Sequence, residues 1–271
     1  MIPLLTVLGI LILLACGYLL AIRGRTGHPG LQALRGWSYA HRGLHSEGIP
    51  ENSMAAFEAA KNAGYGVELD VHLLADGNLA VLHDSKLERV TGLPGIVEEL
   101  TTKQLRDCHL QGTDQIIPEF SHVLELFDGK VPLIVELKTH QGNHKKLCKA
   151  VCDLMESYSG IYCLESFDPR CVLWLKRHRP LLVRGQLTED YFAKGRSKIP
   201  FIFKWIMTEN LLNFITKPDF VAYRFEDRYC TLSNFFCLRR MTGVTWTVKT
   251  QEEYNKAVEE GWIPIFEGFL P

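Results

Sequence analysis

Apolar residues fall in short runs along this chain, each closed by a glycine, a proline or a charge, and these runs alternate with stretches of helical period. The pattern predicts strands over Trp37–His41, Gly66–Leu73, Val131–Leu137, Ile161–Phe167, Leu181–Leu187, Asp219–Arg224, Val244–Lys249 and Ile263–Glu267. One helix is expected after Pro50-Glu51-Asn52-Ser53, where Asn52 or Ser53 can cap it and Gly64 can stop it. Others are expected over Phe120–Phe127, Lys145–Tyr158, Pro169–Arg179 and Gln251–Glu260, with a long helical connection before Asp219. Asp76-Gly77 sits between two apolar runs and predicts a hairpin. From Ser85 to Pro118 the pattern is irregular, with one short amphipathic piece from Thr101 to Cys108.

Strands alternating with helices predict parallel α/β architecture. With the hairpin arm set aside, the strand count is that of a closed (β/α)₈ TIM barrel. A doubly wound sheet usually carries a glycine-rich phosphate loop after its first strand, and this chain has none there. Residues from about 72 to 118 then form a small insertion after the second strand. At 271 residues, the chain has the length of one such barrel with a short extension.

The first apolar run is of a different kind. Ile2 to Ile22 carries no charge, and at about 1.5 Å per residue it spans a hydrocarbon core of roughly 30 Å. Three readings compete: a retained transmembrane helix, a cleaved signal peptide, and a lipoprotein signal ending at Leu13-Leu14-Ala15-Cys16. No Lys or Arg precedes the run, as a signal peptide would have, and Tyr18 to Ile22 continues the apolar character past the cysteine. The retained anchor is therefore expected, over residues 1–23, followed by a glycine- and proline-bearing linker over 24–36 and the barrel over 37–271. Arg23, Arg25 and Arg35 follow the span, which places the barrel on the cytoplasmic side of a single-pass cell-membrane protein. The eight cysteines show no regular spacing and suit reduced thiols on that side. A formal net charge of −1 and the lack of a basic tract argue against nucleic acid as a partner.

The chemistry concentrates early. Tyr39-Ala40-His41-Arg42-Gly43 is followed by Val67-Glu68-Leu69-Asp70-Val71 and Val81-Leu82-His83-Asp84. On a strand, Glu68 and Asp70 leave from one face, and close carboxylates call for a positive charge between them. A hard divalent cation is the usual occupant. Glu136 and Lys138 share a face on the next barrel strand, so three carboxylates from two neighbouring strands can form an oxygen cage for Mg²⁺ or Ca²⁺. His41 can titrate near neutral pH and Arg42 can hold an anion. The set reads as metal-assisted phosphoryl or acyl chemistry. His72, on the face of Asp70, is taken as structural.

The segments Ala40-His41-Arg42-Gly43, Glu51-Asn52-Ser53, Glu68-Leu69-Asp70-Val71, Asp76-Gly77, Val81-Leu82-His83-Asp84 and Val135-Glu136-Leu137-Lys138 together resemble the glycerophosphodiester phosphodiesterase family. Glu165-Ser166-Phe167-Asp168 and Thr245-Trp246-Thr247-Val248 also fit, so the resemblance runs from Trp37 to the end of the chain. It implies a barrel with an inserted arm that hydrolyses a glycerophosphodiester to sn-glycerol 3-phosphate and an alcohol. It implies one divalent cation on Glu68, Asp70 and Glu136, and His41 and His83 as the acid/base pair. Arg42 and Lys138 would contact phosphate, while Phe167 and Trp246 would line the pocket for the glycerol or alcohol. The chain departs from the family at its last strand, where Phe266-Glu267-Gly268-Phe269-Leu270-Pro271 replaces a Thr-Asp-x-Pro-like segment. A lysophospholipase D-like activity on lysophospholipids, or a catalytically silent barrel that binds lipid headgroups, are the alternatives.

One further stretch stands apart. Lys194, Arg196, Lys198 and Lys204 interleave with Phe201, Phe203 and Trp205, a mixture that suits a membrane interface or an outer barrel helix with exposed lysines.

Overall fold

Strand Tyr39–His41 (β1) pairs in parallel with Gly66–Leu73 (β2) on one side and with Ile263–Phe266 (β9) on the other, so the sheet closes on itself. The computed structural model describes residues 2–110, 112–193, 195, 198–233 and 241–271. Between the closing strands, Leu133–Leu137 (β4), Tyr162–Ser166 (β5), Arg184–Thr188 (β6), Phe220–Arg224 (β7) and Thr242–Val248 (β8) follow in parallel order. These eight strands form the barrel that the sequence predicts. Leu79–Val81 (β3) lies outside it, antiparallel to the far end of β2, with Val71 opposite Val81.

Alternation along the strands separates two cores. Val67, Leu69, Val71, Val135 and Leu137 point outward and meet Phe57, Phe120, Phe127 and Leu147 from the surrounding helices. Each such fully buried aromatic or aliphatic side chain contributes roughly 1.5–3 kcal/mol. Inside the barrel, Tyr39, Ile134, Phe220, Val244, Ile263 and Ile265 fill the interior. Gly185 on β6 is needed there, because a Cβ at that position would meet the Phe220 ring at 2.2 Å.

The region read as irregular has a small core of its own. Leu74, Leu82, Leu87, Val97, Leu105, Leu110 and Ile117 cluster beneath β3, and short helices form over Glu88–Thr91 and Thr102–Leu105. Helices of four residues are too short to show an apolar period, so only the second left a trace in the sequence.

At the N-terminus, Ile2–Ala21 is one helix. It is long and apolar enough to cross a membrane, and none of its Leu4–Ala21 stretch is buried against the rest of the molecule. A membrane anchor and a signal sequence both meet that description. The segment expected to be a linker carries a short helix, Pro29–Ala33, and Leu31 and Leu34 are buried with the interior core. In the connection after β6, helix Phe201–Thr208 begins behind Pro200, and Lys194 and Arg196 of the basic stretch lie outside the described residues.

Candidate active site

Strand register places the acidic residues side by side. His41 on β1 stands opposite Glu68 on β2, Asp70 opposite Glu136 on β4, and Glu136 opposite Glu165 on β5. All four carboxyl groups face the barrel interior near the strands' C-terminal ends, and all are buried. One oxygen from each of Glu68, Asp70 and Glu136 lies within 4.8 Å of the others. Lys138 Nζ reaches Glu136 Oε1 at 2.8 Å and Asp70 Oδ1 at 3.0 Å. Arg42 Nε lies 3.5 Å from Asp70 Oδ2, and the Arg42 amide donates to Glu68 Oε2 at 3.3 Å.

The charges test whether a cation fits. Four carboxylates face two fixed cations, Arg42 and Lys138, which leaves two negative charges over when all are ionised. A divalent ion supplies that difference with the oxygen donors it prefers. Without it, burial, then Asp70 and Glu136, push the Glu68 carboxyl well above its usual range. Burial, and then Glu136, do the same to Glu165, whose Oε2 has no hydrogen-bond partner. Glu136 is pushed up to about 7, burial and Asp70 outweighing Lys138. Asp70 goes the other way: although burial raises it, Lys138, His83 and Arg42 hold it far below the ordinary carboxylate range. The residues fit a hard divalent cation, with Lys138 as a fixed counter-charge beside it.

Each histidine is held by a carboxylate. His41 donates through Nδ1 in a short hydrogen bond to Glu267 Oε2, which aims Nε2 at Glu68 Oε2, 3.9 Å away. His83 Nδ1 donates to Asp84 Oδ1 at 2.5 Å, and Asp84 is gripped by Arg89 Nε at 2.5 Å. Burial lowers the pKa of both imidazoles. For His41, the Glu267 hydrogen bond opposes the shift; for His83, Lys138 adds to it and the result is about 4. Arg89 also donates to Glu51 Oε1 at 2.6 Å, and Arg42 Nη1 donates to the same oxygen at 2.8 Å. Glu51 thus ties the barrel arginine to the inserted arm.

The backbone that delivers these groups is bent. Arg42 and Asn52 have φ of 54°, in the left-handed region that non-glycine residues seldom occupy. The Asn52 amide donates to Arg42 O at 2.9 Å, which locks the two bends together. The choice left open for the helix cap is settled: Ser53 Oγ accepts from the Ala56 amide at 3.1 Å, while Asn52 Nδ2 donates to Asp70 Oδ2 at 2.8 Å. Phe167 and Trp246 meet edge to face with ring centroids 5.6 Å apart, from the ends of β5 and β8. His72 donates to Glu98 Oε1 at 2.6 Å beneath the arm, the structural placement expected of it.

The sequence singled out His41, Arg42, Glu68, Asp70, His83, Glu136, Lys138, Phe167 and Trp246 as site residues but gave no role in the site to Glu267, Glu165, Asn52, Asp84 or Arg89. Glu267 had a usable signal, since closing a barrel makes the last strand the neighbour of the first. Arg89 had none, because only folding of the arm brings it to Asp84.

A model of the family described as glycerophosphoryl diester phosphodiesterase matches residues 41–267. A glycerophosphodiester phosphodiesterase of Caldanaerobacter subterraneus is 32% identical over 160 residues, covering 55% of this chain and 65% of that protein. Lysophospholipase D GDPD1 of Homo sapiens is 33% identical over 133 residues, 44% of this chain and 41% of its own. The chain therefore spans less than two-thirds of these curated relatives. Among solved structures, an Oleispira antarctica phosphodiesterase in complex with sn-glycerol-3-phosphate superposes with a TM-score of 0.72 at 19% identity, covering 90% of this chain and 95% of that one. A Thermotoga maritima glycerophosphodiester phosphodiesterase gives 0.64 at 22% identity, covering 85% and 93%. These two likenesses speak to the fold.

Proposed function

Because the chain belongs to the glycerophosphoryl diester phosphodiesterase family, we propose that it hydrolyses glycerophosphodiesters to sn-glycerol 3-phosphate and an alcohol. The observation that carries this reading is the carboxylate triad of Glu68, Asp70 and Glu136 with His41 directed at Glu68. In this reading the triad holds one divalent cation, Mg²⁺ or Ca²⁺. When bound, the ion supplies positive charge to the phosphoryl oxygens as negative charge builds there.

The chain's own groups do the rest. Arg42 and Lys138 attract the phosphodiester anion and keep it over the strand ends. One histidine takes the proton of the attacking glycerol hydroxyl, and the other returns a proton to the departing alkoxide, each contributing about 10² to 10⁴ in rate. The resulting cyclic phosphate is opened by water with the proton roles reversed. Glu267 and Asp84 fix the tautomers, so that each imidazole works through Nε2. Phe167 and Trp246 form an apolar wall for the glycerol or alcohol.

The test is release of glycerol 3-phosphate from glycerophosphocholine by the detergent-purified full chain, with EDTA and after adding back Mg²⁺ or Ca²⁺. Release that survives EDTA overturns the metal assignment. Silence on every substrate with metal restored supports a headgroup-binding barrel instead.

A second reading, lysophospholipase D activity, is favoured by the exposed apolar helix Ile2–Ala21 and by the relative named for that activity. On either reading we take residues 1–23 as a single membrane anchor, 24–36 as the connection and 37–271 as the barrel. The arginines after the helix put the barrel on the cytoplasmic side.

A further inference from the structure

The connection from β6 to β7 exposes apolar surface that the barrel does not use. Phe201, Ile202, Phe203 and Trp205 are exposed on helix Phe201–Thr208, and Phe214 and Ile215 on the next turn, Asn213–Thr216. Phe201 is 74% exposed. A monomer seldom leaves so many large apolar side chains together in water.

A ladder of contacts sets the direction of the N-terminal helix against this surface. Arg25 Nη2 donates to Asp219 Oδ2 at 2.6 Å, beside the start of β7. Lys217 Nζ then donates to Arg23 O at 3.1 Å, Asn213 Nδ2 to Ile22 O at 3.2 Å, and Tyr18 Oη to Glu209 Oε2 at 2.5 Å. Both segments climb together, from the N-terminal ends of the strands toward the level where β6 ends, for Thr188 Oγ1 there donates to Met207 O at 2.8 Å. The apolar helix therefore leaves the barrel heading toward the face that holds Glu68 and His41, beside Phe201–Thr208.

We propose that the exposed apolar surface of residues 201–215 is a bilayer-docking surface, which with the N-terminal helix turns the mouth of the barrel toward the lipid. The occupant follows from continuity, for the surface adjoins a 20-residue apolar helix that has no buried residue along its Leu4–Ala21 stretch. Cations border it: Lys204 lies within it, and Arg23, Lys176 and Lys217 gather at its lower edge. There burial, then Arg23 and Lys176, lower the pKa of Lys217. Aromatic rings bordered by cations match the boundary between acyl chains and anionic headgroups. A phosphodiester carried in the leaflet then reaches Arg42 and Lys138 from the membrane side; this last step rests on the phosphodiesterase reading, whereas the docking does not.

The experiment places the full chain in nanodiscs of phosphatidylglycerol and phosphatidylcholine, with and without brominated acyl chains. The Trp205 emission, taken as wild type minus Trp205→Phe, should lose most of its intensity in brominated lipid. Equal intensity in both lipids overturns the proposal, and a dimer found in the same samples would assign the surface to a second copy. The double variant Phe201→Ser/Phe203→Ser, with its melting temperature checked, should release glycerol 3-phosphate from soluble glycerophosphocholine at the wild-type rate. Its rate on lysophosphatidylcholine held in the nanodiscs should fall about tenfold, equivalent to roughly 1.4 kcal/mol of interfacial binding. An unchanged rate on both substrates overturns the orientation of the mouth. If the wild type acts on neither, the phosphodiesterase reading fails, and quenching still decides the docking.

Discussion

Glu267, at the end of the last barrel strand, accepts the Nδ1 proton of His41, at the end of the first, across 226 positions of sequence. The hydrogen bond, more than burial, determines the state of this carboxyl, whose pKa falls to about 2. It is anionic at any working pH and orients the imidazole by charge as well as geometry. Replacing it with glutamine keeps the shape and removes the charge. Glu267→Gln should lower kcat about 10- to 100-fold with little change in KM. Steady-state kinetics with glycerophosphocholine check this; a change confined to KM would mean that Glu267 serves substrate binding instead.

Burial, and then the charges of Asp70 and Glu136, hold the Glu68 carboxyl well above its usual range inside the barrel. In EDTA, removing one of these charges relieves repulsion. Glu68→Gln should therefore abolish glycerophosphocholine hydrolysis while melting no lower than wild type in EDTA, and somewhat higher. Wild-type turnover in this variant would refute the triad as a metal site.

His83 gives a pH dependence with a definite sign. Its folded pKa, lowered to about 4 by burial and then by Lys138, lies below the value of about 6.5 it takes in an unfolded chain. The unfolded state takes up the proton first as pH falls. The stability contributed by this group is thus complete above about pH 6.5 and is lost as pH drops toward about 4. The side chain is 34% exposed, so solvent screening cuts the effect to about 1 kcal/mol, a shift of about 2–4 °C. Between pH 7 and 4, wild type should lose more melting temperature than His83→Asn does; parallel losses would contradict the shift.

Gly185 is required by a close approach. A methyl group there would strike the Phe220 ring at 2.2 Å, and overpacking of this kind costs about 1–3 kcal/mol. Gly185→Ala should lower the melting temperature by several degrees, and adding Phe220→Leu should restore part of the loss. If the two substitutions are additive, the contact is not the cause.

The parts of this molecule legible in the sequence are those written in local pattern. Period-two strands, helix caps and the i, i+2 pair Glu68 and Asp70 all follow from residues a few positions apart. The same pattern gave the barrel, because eight strand–helix units leave few ways to bury both faces of a parallel sheet. Glu267 was harder, since its role depends on the closure that pairs Ala40 with Phe266. Arg89 was out of reach, as it acts from a four-residue helix in the arm, held by a small core of widely spaced residues. Asn52 was misleading: its type suits a cap, yet its φ of 54° sends the side chain to Asp70 and leaves the cap to Ser53.

Pairing of β1 with β9 has a further consequence during synthesis. Glu68, Asp70 and Glu136 are all translated long before the last barrel strand, and their strands are neighbours. His41 must wait for Glu267, which is made only with the strand that closes the barrel. A nascent chain can gather its acidic triad long before it can aim the imidazole, so competence for turnover arrives only when the ring of strands is complete.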